Sequence, residues 1–203
     1  EHFFRVNGNN FIAKLNSCFL RAIAFNKPAD FCRQRRITDK KEPQALQKIC
    51  ESPWVLNGPE VRKFEECFRV YTGARFASAV STCTAGMQLA LAAFKLGPED
   101  EVLLPAFNFI AAGLSVLQVR AKPVFVDVEP RTGNMDVSDL RRRVTKKSKA
   151  ILALHYAGSP CNLDGILEVA KLRGLKVIED ASHALGSGYG GKKIGNIGDA
   201  TIF

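Results

Sequence analysis

No apolar run in this 203-residue chain approaches the roughly 20 residues that a membrane-crossing helix needs. The longest candidate, around Leu89–Leu96, is interrupted by Lys95. No Cys-x-x-Cys pair occurs. Cys18, Cys32, Cys50, Cys67, Cys83 and Cys161 are scattered, and His2, His155 and His183 have no partners at zinc-ligand spacing. No metal site is therefore expected, and reduced thiols in a cytoplasmic protein are the simplest reading. No nucleic-acid motif accompanies the net charge of +9. The excess sits in residues 1–50 (ten Lys/Arg against four Asp/Glu) and residues 131–149 (seven against two), and the remainder is close to neutral. A basic chain attracts phosphate-bearing partners, but charge confined to a leader and one segment argues against nucleic acid. Repeats and low-complexity tracts are absent as well. What is present is 46% apolar and 24% charged residues, the balance of a globular domain with a core of its own.

Both ends read as cuts, because the chain begins with Glu1 and closes on Thr201-Ile202-Phe203, inside what reads as a buried strand. Residues 1–48 form an irregular basic leader in which Phe3, Phe4, Phe11, Phe19, Phe25 and Phe31 mix with Arg and Asn, ahead of Cys32-Arg33-Gln34-Arg35-Arg36. An organelle-targeting segment and unrelated sequence joined to a domain are both open readings of it.

From residue 49 the pattern is orderly. Asn57-Gly58-Pro59 signals a turn. Val61, Phe64, Phe68 and Tyr71 then recur at helical spacing until Gly73 ends the helix. Phe76–Val80 is a short strand candidate, and Ser81–Phe94 a turn feeding a helix with Met87, Leu91 and Phe94 on one face. Beyond the Gly97–Asp100 turn, strands over 101–104, 123–128, 150–155 and 175–179 alternate with helices over 109–119, 137–144 and 163–172, the second capped by Asp136 or Ser138. Such alternation predicts an α/β domain whose mostly parallel sheet is covered by helices on both faces. In such sheets ligands bind at the carboxyl ends of strands.

Five positions follow candidate strands. Ser81-Thr82-Cys83-Thr84-Ala85-Gly86 opens a helix, where free N–H groups and the positive dipole end suit a phosphate; simple N-capping by Ser or Thr is the competing reading. Asp180 follows the apolar Leu175–Glu179 strand and is read as either the partner of a cationic ligand atom or a metal, or an N-cap. His183, three residues on, is a ligand contact or a structural histidine. Phe107 and Phe109, in Pro105-Ala106-Phe107-Asn108-Phe109, can stack on a planar ligand or pack in the core. His155, in His155-Tyr156-Ala157-Gly158-Ser159-Pro160, can line the same crevice.

These segments stand in a recognisable order. Asn57-Gly58-Pro59 precedes Ser81-Thr82-Cys83-Thr84-Ala85. Leu104-Pro105-Ala106-Phe107-Asn108-Phe109 and Pro123-Val124-Phe125-Val126-Asp127-Val128 come next. His155-Tyr156-Ala157-Gly158 and the run Val177-Ile178-Glu179-Asp180-Ala181-Ser182-His183-Ala184-Leu185-Gly186 follow, and Gly195-Asn196-Ile197-Gly198-Asp199-Ala200 is last. From about residue 49 to 203 the series resembles the DegT/DnrJ/EryC1/StrS family of sugar aminotransferases.

The resemblance implies residues 49–203 of a type I aminotransferase large domain, α/β and incomplete at residue 203. It implies pyridoxal 5′-phosphate (PLP) as cofactor, a nucleotide-linked keto-sugar as amino acceptor, glutamate as donor, and a homodimer with the site at the subunit interface. By position, Cys83 and Thr84 hold the phosphate with Thr82 beside them, Phe109 stacks on the ring, Asp180 pairs with the pyridine nitrogen and supports catalysis, and His183 lies near the ring oxygen. The family usually carries Gly where this chain has Cys83, and Ala where it has Gly86 and Ser182. Its Schiff-base lysine lies shortly after the stretch matching Gly198–Phe203, so this chain is expected to stop short of it, and Lys192 and Lys193 are poor substitutes. A PLP-dependent sugar dehydratase of the same fold, with a histidine in the lysine's place, and a non-catalytic homologue are the alternatives. The sugar-binding residues are unassigned.

Overall fold

The computed structural model describes residues 41–54 and 58–203, in two compact units divided after Ala79. In the first unit, α1 (Lys41–Cys50) takes up the end of the stretch read as irregular leader, residues 1–48, and runs two residues past it. The targeting reading of residues 1–40, and Asn57 of the turn signal, lie outside the described residues. Helix α2 (Pro59–Thr72) begins with Pro at its first turn, where a missing N–H is harmless, and ends at Gly73 in the left-handed region. Phe64 and Phe68, one turn apart, pack with ring centroids 5.7 Å apart. The strand expected over Phe76–Val80 does not form. Phe76 is 78% exposed, and the Ala79 N–H, which a ladder would have used, donates to Glu65 Oε1 at 2.8 Å.

The second unit is the α/β domain. Its order is α3 (Cys83–Ala93), β1 (Glu101–Pro105), α4 (Ile110–Gln118), β2 (Lys122–Val126), α5 (Val137–Arg143), β3 (Ser148–Leu154), α6 (Leu163–Arg173), β4 (Lys176–Asp180), the hairpin β5 (Gly188–Tyr189) and β6 (Lys192–Lys193), and β7 (Ala200–Ile202). Five strands pair in the order β2-β1-β3-β4-β7, and every pairing is parallel. Side-chain alternation splits the core into two layers. Val102, Leu104, Ala150, Leu152, Ile178 and Ile202 pack with Met87 and Leu91 of α3 and with Ala112 and Val116 of α4. Leu103, Ile151, Ala153 and Val177 pack with Leu140 of α5 and with Leu163, Ile166 and Val169 of α6.

Short polar residues cap α3, α5 and α6 as capping chemistry favours. The Ala85 N–H donates to Thr82 Oγ1 at 3.0 Å, the Ser138 N–H to Asp136 Oδ1 at 2.7 Å and the Gly165 N–H to Asn162 Oδ1 at 3.1 Å. Asp136 is thus the cap of α5. Gly86, a poor helix former, has a packing reason: a Cβ there would stand 3.1 Å from Ile202 Cγ2, so its absence lets α3 approach β7.

Chain β1–α4–β2 runs to one side of the sheet and β3–α6–β4 to the other, with α4 and α6 on opposite faces. The carboxyl ends of β1 and β3 therefore form the switch point at which such sheets open a crevice. Leu140 is fully buried on the α5–α6 side, among Leu103, Ile151 and Ile166. Leu140→Ala removes its buried methyl groups and is expected to destabilise the domain by about 2–5 kcal/mol, measured as a lowered midpoint in urea with an unchanged slope.

Candidate active site

A cleft of about 410 Å³ opens at that switch point. Its walls come from the start of α3 and from the segments leaving β1, β3 and β4.

Helix α3 presents Cys83 and Thr84, its first two residues. Helix geometry gives their N–H groups no intrahelical acceptor and places the positive dipole end there. The Cys83 thiol is pushed up, first by burial and then by the Asp180 carboxylate across the cleft, so it stays protonated at neutral pH. Thr82 caps the helix and does not line the cleft.

After β1 come Phe107, Asn108 and Phe109. Phe109 is 76% exposed, which excludes core packing for it. Phe107 packs against Tyr156 with centroids 5.0 Å apart and planes tilted by 50°. Asn108 Oδ1 accepts the Phe109 N–H at 2.7 Å, while its Nδ2 is buried with no hydrogen-bond partner. A buried amide donor without an acceptor is costly, and on the wall of a cleft it is a place for a ligand's acceptor atom.

At the end of β3, Leu154, its last residue, and Tyr156 beyond it join the wall. Asn134 is buried and holds this segment, accepting the Tyr156 N–H at 2.9 Å and donating to the carbonyls of Ser159 and Pro160. Gly158 has φ +83°, and a Cβ on it would meet the His183 carbonyl oxygen at 2.9 Å. His155 is not in the cleft. It is fully buried and points to the α5–α6 side, where Nε2 lies 3.0 Å from Glu179 Oε2. The sequence places it correctly at a strand end, but alternation along β3 turns it to the other face, away from Leu154.

From the end of β4 come Asp180, its last residue, and Ser182 and His183 beyond it. Asp180 is buried, and its Oδ1 accepts the Ser182 N–H at 3.2 Å. No helix follows, so the N-cap reading falls and the carboxylate faces the cleft. His183 is exposed on the rim. Of the residues expected at the site, Cys83, Thr84, Phe109, Asp180 and His183 converge, and Thr82 stands behind them. Met87, Asn108, Tyr156 and Ser182 were not singled out, although Asn108, Tyr156 and Ser182 sit inside the motifs and Met87 lies one helical turn after Cys83. Among the described residues no lysine lines the cleft, and no cluster of His, Cys, Asp or Glu could hold a metal. No helix among them is long and apolar enough to cross a membrane.

The architecture is shared with solved structures. An aminotransferase from Psychrobacter cryohalolentis superposes with a TM-score of 0.76 at 36% identity, over 79% of this chain and 41% of that one. The PLP-form of Spr1654 from Streptococcus pneumoniae superposes with a TM-score of 0.78 at 30% identity, over 81% of this chain and 46% of that one. Spore coat polysaccharide biosynthesis protein SpsC of Bacillus subtilis is 42% identical over 164 residues, which are 81% of this chain and 42% of that protein. The GDP-perosamine synthase of Caulobacter vibrioides is 40% identical over 166 residues, 81% of this chain and 45% of that enzyme. The chain thus spans less than half the length of these curated relatives. The model of the DegT/DnrJ/EryC1/StrS aminotransferase family matches residues 36–203. With that match covering the whole α/β domain and its cleft, the chain belongs to the DegT/DnrJ/EryC1/StrS aminotransferase family.

Proposed function

We propose that this chain supplies the PLP cradle of a cytoplasmic aminotransferase that moves an amino group from glutamate to a nucleotide-linked keto-sugar, working as a homodimer. The observation that carries the reading is the convergence of a helix N-terminus, an exposed aromatic ring and a buried carboxylate on one cleft. The residues fit the cofactor. The N–H groups opening α3 and the Thr84 hydroxyl suit a phosphate, Phe109 suits the flat face of a ring, and the unpartnered Asn108 amide suits an acceptor atom. A volume of about 410 Å³ falls in the range of cofactor pockets. PLP bound there would supply an electron sink for a carbanion formed next to the amine.

In this reading Asp180 would pair with the pyridine nitrogen, its carboxylate oriented by the Ser182 N–H. Cys83, neutral beside Asp180, adds no charge to repel a phosphate. His183 stands on the rim, close to where the ring oxygen would be held, and Thr82 supports the phosphate site by fixing the first turn of α3. The amine that moves the proton at the substrate carbon is proposed to come from a lysine C-terminal to Phe203, since the hairpin residues Lys192 and Lys193 do not line the cleft. The nucleotide-linked sugar is proposed from the family resemblance and from relatives such as the GDP-perosamine synthase, and glutamate from the family resemblance alone. The cytoplasmic assignment agrees with free thiols at Cys50, Cys67, Cys83 and Cys161.

Two substitutions test the cradle by equilibrium dialysis against PLP. Asp180→Ala removes one charge-assisted hydrogen bond, worth about 1.5–3 kcal/mol, and is expected to weaken binding about tenfold to a hundredfold. Equal affinity in wild type and variant would remove Asp180 from the site. Thr84→Val is expected to weaken PLP binding by about 1 kcal/mol or more while leaving the weaker binding of pyridoxal, which lacks the phosphate, unchanged. A parallel loss for both compounds would place Thr84 elsewhere than at the phosphate.

A further inference from the structure

Asp180 enters the cleft from one face of β4. Its neighbour Glu179 leaves from the other face and is fully buried. Glu179 Oε2 lies 3.0 Å from His155 Nε2. Glu179 Oε1 accepts from the Gly198 N–H at 2.7 Å and from Thr201 Oγ1 at 2.9 Å. The Cys161 N–H donates to His155 Nδ1 at 3.2 Å, so the ring proton sits on Nε2 and points at Glu179. The carboxylate therefore receives three donors and faces no acceptor. Gly198 is part of this fit, because a Cβ there would stand 3.0 Å from Glu179 Oε1.

Cys161 Sγ lies 3.4 Å from His155 Nδ1, which gives Cys161, His155 and Glu179 the spacing of a nucleophile, a base and an orienting acid. The chemistry does not follow. The thiol is fully buried, and burial followed by the Glu179 charge pushes it up to about 12, so no thiolate forms and no substrate reaches it. What the cluster does is mechanical. His155 directly follows β3, Glu179 lies in β4, and Gly198 and Thr201 belong to the approach to β7 and the strand itself. Groups from three adjacent strands and their connections meet on one carboxylate, on the face of β4 opposite Asp180.

We propose that Glu179 is the positioning residue of the cleft, tying β3 and β7 to the end of β4 so that Asp180 is aimed at the N-terminus of α3. The inference rests on the reading of Asp180 as the cofactor's charged partner. It deepens that reading by naming what holds the carboxylate there. Burial pushes Glu179 up, but the hydrogen bonds from His155, the Gly198 N–H and Thr201 outweigh it and hold the carboxyl below the ordinary glutamate range. Because the folded value is depressed, this contribution to stability is complete above the unfolded glutamate value, about 4.3, and is lost as pH falls through the folded one. At neutral pH the tie is fully made.

The test has two readouts, one of them independent of PLP. Asp180 helps raise the Cys83 thiol, so the pH profile of Cys83 alkylation, resolved by peptide mass spectrometry, reports where the Asp180 carboxylate lies. Glu179→Gln must turn an amide NH₂ toward one of three donors. Thr201→Val breaks one tie and keeps the Glu179 charge. Both are compared in the full chain with Leu140→Ala, which lowers stability away from the cleft, under conditions where all are folded by circular dichroism. Both positioning variants are expected to move the Cys83 profile toward lower pH, as Asp180→Asn does, and to weaken PLP binding about tenfold for Glu179→Gln and severalfold for Thr201→Val. Leu140→Ala is expected to change neither. If Glu179→Gln does not fold, Thr201→Val decides alone. A Cys83 profile and PLP affinity that match Leu140→Ala in the positioning variants would overturn the proposal. Wild type that binds no PLP, with the Cys83 profile still moving, would keep the positioning role and sink the cofactor reading instead.

Discussion

Neighbouring residues of a β-strand must face opposite sides of the sheet, and at the end of β4 that constraint separates two consecutive carboxylates. Glu179 is sent below the sheet, where donors from β3, Gly198 and β7 surround it. Asp180 is sent above it, toward the cleft, where its Oδ1 accepts the Ser182 N–H at 3.2 Å. Two buried anions side by side are tolerable only if each is compensated separately. The lower one is saturated by the protein. The upper one keeps capacity for a cationic partner, and that imbalance is what makes the end of β4 a site and not only a strand end.

The rest of the cleft follows from the sheet. All five strands run parallel, so their carboxyl ends lie on one edge, and with helices on both faces the strands can be apolar almost throughout. The layers above and below β3 are complete: Ala150 and Leu152 on one side, Ile151 and Ala153 on the other, all at 0% exposure. A core of that kind fixes strand ends to within the tolerance a ligand needs, while the loops leaving them carry the variable chemistry. Asn134 shows how such a loop is held. Its side chain meets the Tyr156 N–H and two carbonyls beyond it, and so supports the Phe107–Tyr156 ring pair on the wall.

How much of this was legible in the sequence depends on what kind of information each feature carries. The αβ alternation, the caps at Thr82 and Asp136 and the gathering of Cys83, Thr84, Phe109, Asp180 and His183 at strand ends and a helix start follow from period and position, which a sequence displays. The side of the sheet taken by His155 depends on the phase of β3 relative to its neighbours, which a short apolar run does not display. Phe76–Val80 has strand composition but, among the described residues, no strand pairs with it, and pairing is a tertiary fact. Gly86 reads as a weak helix residue until Ile202, 116 positions later, is seen to occupy the space its Cβ would need. The Glu179 network joins positions 155, 161, 179, 198 and 201, and only the register of three strands brings them together.

Cys83 brings the two poles of the cleft into one argument. The start of α3 is electropositive and Asp180 is anionic, and the thiol lies between them. A thiolate would be favoured by the helix dipole and opposed by burial and by Asp180. The thiol is pushed up, first by burial and then by the carboxylate, against the opposing hydrogen bond of its own backbone N–H. Glycine at this position would let the backbone come closer to an anion. Cysteine instead adds a neutral, weakly donating group: burial first, and the Asp180 charge second, hold the thiol above its ordinary value, so it brings no negative charge to the start of α3. The carboxylate proposed to pair with the ring nitrogen thus reinforces a neutrality that burial already supplies, and how firmly the end of β4 is held bears on both poles of the cleft.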